Sequence, residues 1–195
     1  MTCDISVEQL ALATGSTPAN ARLYHRHLVP AMRRFEIDTP LRQAAFLATL
    51  SVESQGLTAV SEGLHYRDPA RLARIFPRKF KTAAEATPYT RNPDALSALL
   101  YDGYHGRGLI QLTWLKNYVR ARDALGFDYV KNPALLTQPE HAALSAAWFW
   151  DDAGCNRPAD RADMREVTRR VNGPALLHLA ERTAQFAVAR KVLGC

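Results

Sequence analysis

Two glutamates, Glu53 and Glu62, have the residue type and the surroundings from which acid–base chemistry can be built. Glu53 closes the apolar run AAFLATLSVE and follows Phe46 and Leu50 at helical spacing, so it shares their stripe. A carboxyl group on such a stripe is partly desolvated, which favours its neutral form. A glutamate this close to a helix end can equally turn into water and do nothing more. Glu62 lies past Gly56, in the polar stretch SEGLHY, and taken alone it reads as an ordinary loop residue. The two together say more. Hydrolysis of a glycosidic bond needs one carboxylic acid to protonate the leaving oxygen and one carboxylate to act from the other face. An acid kept neutral by apolar surroundings and a base kept charged in a polar loop divide the work in that way.

The stretch GYHGRGLIQLTWLKNY, residues 103–118, supplies what such a pair needs around it. Its glycines permit a sharp turn and a close approach of the backbone. The run LIQLT alternates like a strand with one wet face, sending Ile110 and Leu112 one way and Gln111 and Thr113 the other. An amide and a hydroxyl are thereby presented side by side, to hold a sugar and the attacking water. Trp114 beside them is either a platform for a sugar ring or a core or rim residue.

The elements that must position these residues are mostly helices. Ser6 with Gln9 forms a capping box for a short helix that Gly15 closes, and Thr17-Pro18 opens a second, which Pro30 should kink or interrupt. Thr39-Pro40 repeats the start signal before a third helix that is apolar on nearly every side, with Gly56 as a natural stop; this is the expected centre of the fold. A looser region rich in proline and charge, from about Tyr66 to Asp94, is expected to hold short helices and a surface loop. Beyond LIQLT, Thr137 and Glu140 form a capping box before HAALSAAWFW, Asp160 caps ADMREVTRRV, and the last helix runs from Ala175 to Leu193 with Gly194 past its end. The pattern predicts a mainly α (α+β) fold with a small β element.

Composition narrows the function. With 47% hydrophobic and 23% charged residues in 195, the chain has ordinary globular usage and is long enough for one well-buried domain. No apolar run is long enough to span a bilayer, and MTCDISVEQL lacks the features of a signal peptide, so the reading is a chain made in the cytoplasm with no stable membrane insertion. Cys3, Cys155 and Cys195 are odd in number and unrelated in spacing, which suggests no disulfide framework or CxxC metal pair. With no HExxH, and with His25 and His27 on different faces of a helix, no metal is expected. GYHGRG lacks the order of a phosphate loop, and no recognition-helix motif accompanies the basic residues, so neither nucleotide nor nucleic acid is an expected ligand. The net charge of +6 suits an anionic partner, or else a solvated surface that happens to be basic.

Five segments in register, AAFLATLSVESQGL, SEGLHY, GRGLIQLTWLKNY, SAAWFW and RRVNGP, resemble glycoside hydrolase family 19, nearest to its bacteriophage endolysin branch, from about Ile37 to the C-terminus. The resemblance implies a lysozyme-like, two-lobed helical domain with the β element lining the cleft, and no cofactor. One catalytic domain would then cover 1–195, with N-terminal helices over about 1–36 packing on a core over about 37–195. It implies that Glu53 is the general acid and Glu62 the general base of an inverting hydrolysis, and that Thr113 helps hold the nucleophilic water. Gln111, Asn117 and Asn172 match sugar-binding positions, Tyr66 and Tyr118 match cleft residues, and Arg182 falls where the family has an arginine near the acid.

The expected substrate is the glycan strand of peptidoglycan, whose anionic envelope suits a basic protein, with chitin second. The enzyme would act as a monomer on the wall in the periplasm, reaching it through a holin lesion or a secretion route, either as a phage lysis enzyme or as an antibacterial effector. A non-catalytic glycan-binding module is the reading from a different class.

Overall fold

The computed structural model describes residues 4–195. Helices α1 (Val7–Thr14), α2 (Pro18–Arg34) and α3 (Pro40–Glu53) start where the caps predict. Ser6 and Gln9 close the reciprocal box, and Thr17 and Thr39 each accept a backbone N–H ahead of a proline in the first turn. Pro30 does not interrupt α2. A mid-helix proline costs about 3 kcal/mol, but the buried Leu28, Ala31 and Met32 pin the helix on both sides of it.

Two apolar clusters divide the described residues. The larger is centred on α3, whose residues 43–50 are all buried. Phe46 meets Trp150 edge-to-face at 5.4 Å. Trp150 belongs to α8 (Pro139–Asp152), and α11 (Leu179–Leu193) lies along α3. Helices α1 and α2 pack on this body against α3, α8 and α11. A fully buried Leu or Phe contributes about 1.5–3 kcal/mol, so a helix buried on every side is the natural anchor for a site at its end. The smaller cluster gathers Leu64, Leu72, Phe80, Ala86 and Leu96, from the extended chain after Glu62 and from α4 (Pro69–Ile75), α5 (Ala83–Ala86) and α6 (Pro93–Tyr101). The short helices expected between Tyr66 and Asp94 are thus a lobe of their own.

LIQLT is not a strand. Gly108 (φ +77°) and Gln111 (φ +54°) are left-handed, the Gln111 N–H donates to Gly108 O at 3.1 Å, and Arg107 and Leu112 exchange two backbone bonds around the turn. The β element reduces to two isolated bridges, Ser61 with Arg107 and Arg107 with Leu112. The two faces survive even so. Ile110 and Leu112 are buried while Gln111 and Thr113 are half-exposed, because one apolar side must meet the core whatever the backbone does between.

Three helix starts differ from the sequence reading. Asp160 gives its carboxylate to Arg42 at 2.7 and 2.8 Å, so α10 (Met164–Asn172), which follows α9 (Asn156–Ala159), is capped by Asp163. Thr137 spends its hydroxyl on Ala134 O in a 3-10 turn, and α8 opens at Pro139 after an extended Gln138, with no side-chain cap. The chain after Gly173-Pro174 makes two tight turns through left-handed Leu176 and His178 before α11 begins at Leu179, four residues later than predicted. A tertiary ion pair, a local side-chain bond and a proline turn each outcompete a local cap.

Candidate active site

Glu53 is the last residue of α3, and its anchor comes from the far end of the chain. Arg182, in the first turn of α11, is fully buried and pairs with Glu53 Oε1, while the glutamate side chain keeps 17% of its surface exposed. The apolar stripe of α3 is thus joined at Glu53 by a cation, the arginine that the family resemblance placed near it. Nε and Nη1 of Arg182 have no hydrogen-bond partner among the described residues, so Glu53 is the counter-ion on which this buried guanidinium depends.

Glu62 is held from the other lobe. After α3 the chain turns through left-handed Gln55, Gly56 and Leu57, then runs extended past Glu62. Its backbone N–H donates to Gly106 O at 2.8 Å. Its carboxylate accepts from the Tyr101 hydroxyl at 2.7 Å (Oε1) and from the Gly106 N–H at 3.2 Å (Oε2). Tyr101 ends α6. Burial, and then the neighbouring Glu62 carboxylate, push its hydroxyl above the usual tyrosine range, so it remains a donor throughout the working pH range. The two carboxylates are thus fastened to different lobes, Glu53 through α11 and Glu62 through α6.

Gly106 is where the parts converge. A Cβ there would sit 2.8 Å from Gln111 Oε1 and 3.3 Å from Thr113 Oγ1, so the residue that donates to Glu62 also abuts the amide and the hydroxyl. Thr113 donates its own proton to Gln111 O at 2.8 Å. What it offers outward is a lone pair, hence a place for one hydrogen of a water. Gln111 ties its amide to Gly108 O and Ala59 O, at 3.0 and 3.3 Å. Asn117, on α7 (Leu115–Leu125), donates to Thr113 O at 2.8 Å, and Asn172 donates to Leu177 O at 3.2 Å.

Glu53, Gln111, Thr113, Trp114, Asn117 and Asn172 line one cavity of about 220 Å³, with Glu62 joined to it through Gly106. Three of the sequence-predicted residues lie elsewhere. Tyr118 is fully buried; its hydroxyl donates to His105 O at 2.6 Å and accepts from Arg107 at 2.9 Å, bracing the glycine loop from behind. Arg182 has no exposed surface and touches Glu53 from beneath the cavity. Tyr66 packs against Phe76 in the small lobe, ring centres 6.0 Å apart, beside a separate hollow. Conversely, Tyr101 escaped the sequence reading, and Gly106 was read only as one of the glycines that allow a close backbone approach. Tyr101 ends an ordinary helical pattern, and nothing local distinguishes it. At Gly106 the glycine is required by space and not by φ, since a Cβ would meet Gln111 and Thr113.

His105 completes the wall of the loop. Its ring nitrogens bond Ser97 and Ser61 at 2.7 and 3.2 Å, and burial, with Arg107 beside it, pushes its pKa down to about 4. Cys155 is buried and its thiol is pushed up to about 12 by desolvation; Cys3 lies outside the described residues.

The chitinase class I model of glycoside hydrolase family 19 matches residues 36–191, spanning the whole arrangement from α3 through Arg182. The chain belongs to glycoside hydrolase family 19. A glycosyl hydrolase family 19 domain-containing protein of Haemophilus influenzae is 31% identical over 147 residues, covering 68% of this chain and 71% of that protein. Chitinase 10 of rice, Oryza sativa subsp. japonica, is 32% identical over 162 residues, which is 77% of this chain but only 49% of the rice protein. Among solved structures, chitinase C of Streptomyces griseus HUT6037 superposes over 97% of this chain and 76% of its own, with a TM-score of 0.66 at 25% identity. This family-19 chain is a glycoside hydrolase with the mainly helical, lysozyme-like fold of its relatives.

Proposed function

We propose that this enzyme cleaves β-1,4 bonds between the N-acetylated sugars of peptidoglycan, with inversion at the anomeric carbon. The observation that carries the chemistry is that Glu53 and Thr113 line one cavity, while Gly106, which abuts Thr113, donates its N–H to Glu62. Glu53 enters the step protonated and gives that proton to the glycosidic oxygen as the bond breaks, and the carboxylate left behind is the counter-ion of Arg182. Glu62 takes one proton from a water. The other hydrogen of that water points at the Thr113 lone pair, which turns a water lone pair toward the anomeric carbon. Charge supports murein as the substrate, since a basic protein is drawn to an anionic envelope. Chitin is the second reading, favoured by the names of the relatives.

The test offers soluble murein glycan strands and a chitin hexamer side by side, with mass spectrometry of the products and NMR of the new anomer. Murein cleavage with the inverted anomer appearing first is expected. Cleavage of chitin alone would reject the substrate, and a retained anomer would reject the mechanism.

A further inference from the structure

The positive charge of this protein is not spread over its surface. Between His65 and Arg91 stand seven Lys or Arg against two Asp or Glu, a surplus of five out of the +6 of the whole chain. Every ion pair among the described residues lies outside that segment, from Arg33–Asp4 through Arg42–Asp160 and Arg120–Asp152 to Arg182–Glu53. Outside that segment 18 Lys or Arg stand against 17 Asp or Glu, close to balance, whereas within it no cation has an acidic side chain as ion-pair partner.

Those cations are arranged around a hollow. The chain from Glu62 onward alternates, with Glu62, Leu64 and Tyr66 turned inward and His65 and Arg67 exposed. Arg91 is brought beside them because its backbone N–H donates to Tyr66 O at 2.7 Å. His65, Arg67 and Arg91 line an open cavity of about 480 Å³. A second hollow, of about 360 Å³, shares His65 and Arg67 and adds Arg71 and Asp68. Asp68 already gives its carboxylate to the Ala70 N–H at 2.9 Å as the cap of α4. An extended chain covers at most about 3.6 Å per residue, so His65 lies within roughly 11 Å of Glu62.

We propose that the hollow of His65, Arg67 and Arg91 is a subsite for the carboxylates of the peptide substituents that a murein strand carries and a chitin strand lacks. This rests on the peptidoglycan reading above and gives it a location. Arginine suits the role, since its planar fork binds a carboxylate through two parallel hydrogen bonds. A site this close to the base, yet outside the cavity of Glu53 and Thr113, engages a branch of the substrate and not the sugar being cleaved.

The experiment compares wild type with the double variant Arg67→Gln/Arg91→Gln on murein oligomers bearing their peptides, on the same oligomers stripped by an amidase, and on a chitin hexamer. On the peptide-bearing oligomers KM should rise about tenfold with kcat unchanged, the size expected for losing two partly exposed charge contacts. On the other two it should stay within about twofold. Arg91→Glu, which substitutes repulsion for attraction, should raise KM further. The advantage of peptide-bearing over stripped oligomers in wild type should also shrink with salt, because exposed charges are screened beyond about 8 Å at physiological ionic strength. An equal rise in KM on all three substrates would mean that these arginines hold sugar, and no rise on any would mean that they hold nothing; either overturns the subsite. If wild type cleaves neither the peptide-bearing nor the stripped murein oligomers, it is the peptidoglycan reading that has failed. The subsite is then decided by titrating peptide-bearing oligomers into Glu62→Gln with and without the two arginine changes, an equal affinity overturning it.

Discussion

At the scale of single residues, the two carboxylates are not equivalent in what they do for the fold. Replacing Glu53 by Gln leaves the buried Arg182 without its counter-ion, and breaking one side of a buried pair costs about 3–5 kcal/mol. Glu53→Gln should therefore lose both activity and several degrees of thermal midpoint. Glu62→Gln, whose partners are a hydroxyl and a backbone N–H, should lose activity with a much smaller shift, as calorimetry beside a turnover assay would read. Thr113→Val keeps the shape and removes the lone pair offered to water. Turnover should drop about 100-fold with KM nearly constant, because placement of the water matters chiefly in the transition state, and Thr113→Ser should keep most of it. Full activity in the valine variant would leave Thr113 as a packing residue. Tyr101→Phe frees the Glu62 carboxylate to rotate; a fall of roughly tenfold in kcat with KM unchanged is expected for a lost donor to a charged group.

At the scale of elements, the decisive piece is the turn from α3 to the extended chain. Gln55, Gly56 and Leu57 are all left-handed, and the hydroxyl of Ser54 accepts from the Leu57 N–H at 2.9 Å to hold them. This reverses the chain from the buried helix toward the small lobe within a few residues, so that Glu62 comes to Gly106 at the edge of the cavity that Glu53 lines. Gly56 is indispensable there on two counts. Its φ is +67°, and a Cβ would lie 3.1 Å from the carbonyl oxygen of Gly15, a backbone atom that cannot swing away. Gly56→Ala should cost about 1–2 kcal/mol. A denaturant midpoint equal to that of wild type would show that the turn relaxes freely. Sequence reading saw Gly56 only as a stop signal, because nothing local reveals that the loop between α1 and α2 lies against it.

At the scale of the whole molecule, stability should fall on the acid side for a nameable reason. His105 is held neutral, pushed down to about 4 from an ordinary value of 6.5 by burial and by Arg107. The unfolded chain therefore binds a proton that the folded chain refuses. Stability is complete above about pH 6.5 and is lost as pH falls from there toward 4. Because His105 links Ser61, ahead of Glu62, to Ser97 of α6, the cleft wall should loosen over the same window. His105→Gln should flatten the dependence of thermal midpoint on pH between 6.5 and 4, and an unchanged slope would place its origin in other groups.

Much of this arrangement was legible along the chain. The capped starts of α1, α2 and α3 are local chemistry between a side chain and the next turn of backbone, so Ser6, Thr17 and Thr39 could be read directly. The apolar run of α3 announced its burial because no solvated face was left to it, and the two faces of LIQLT were right although the strand was not. Tertiary structure decided what depends on residues distant in sequence. Arg182 meets Glu53 across 129 positions, Tyr101 meets Glu62 across 39, and Asp160 abandons a cap for Arg42 across 118. Such partners leave no periodicity or spacing behind, since a charge or hydroxyl is chosen by what the folded backbone brings within about 3 Å. The cationic hollow belongs to both levels. Its charges are countable in the sequence, but only the folded chain, by setting Arg91 against Tyr66 and leaving the surrounding cations unpaired, makes of them a place where an anion could sit.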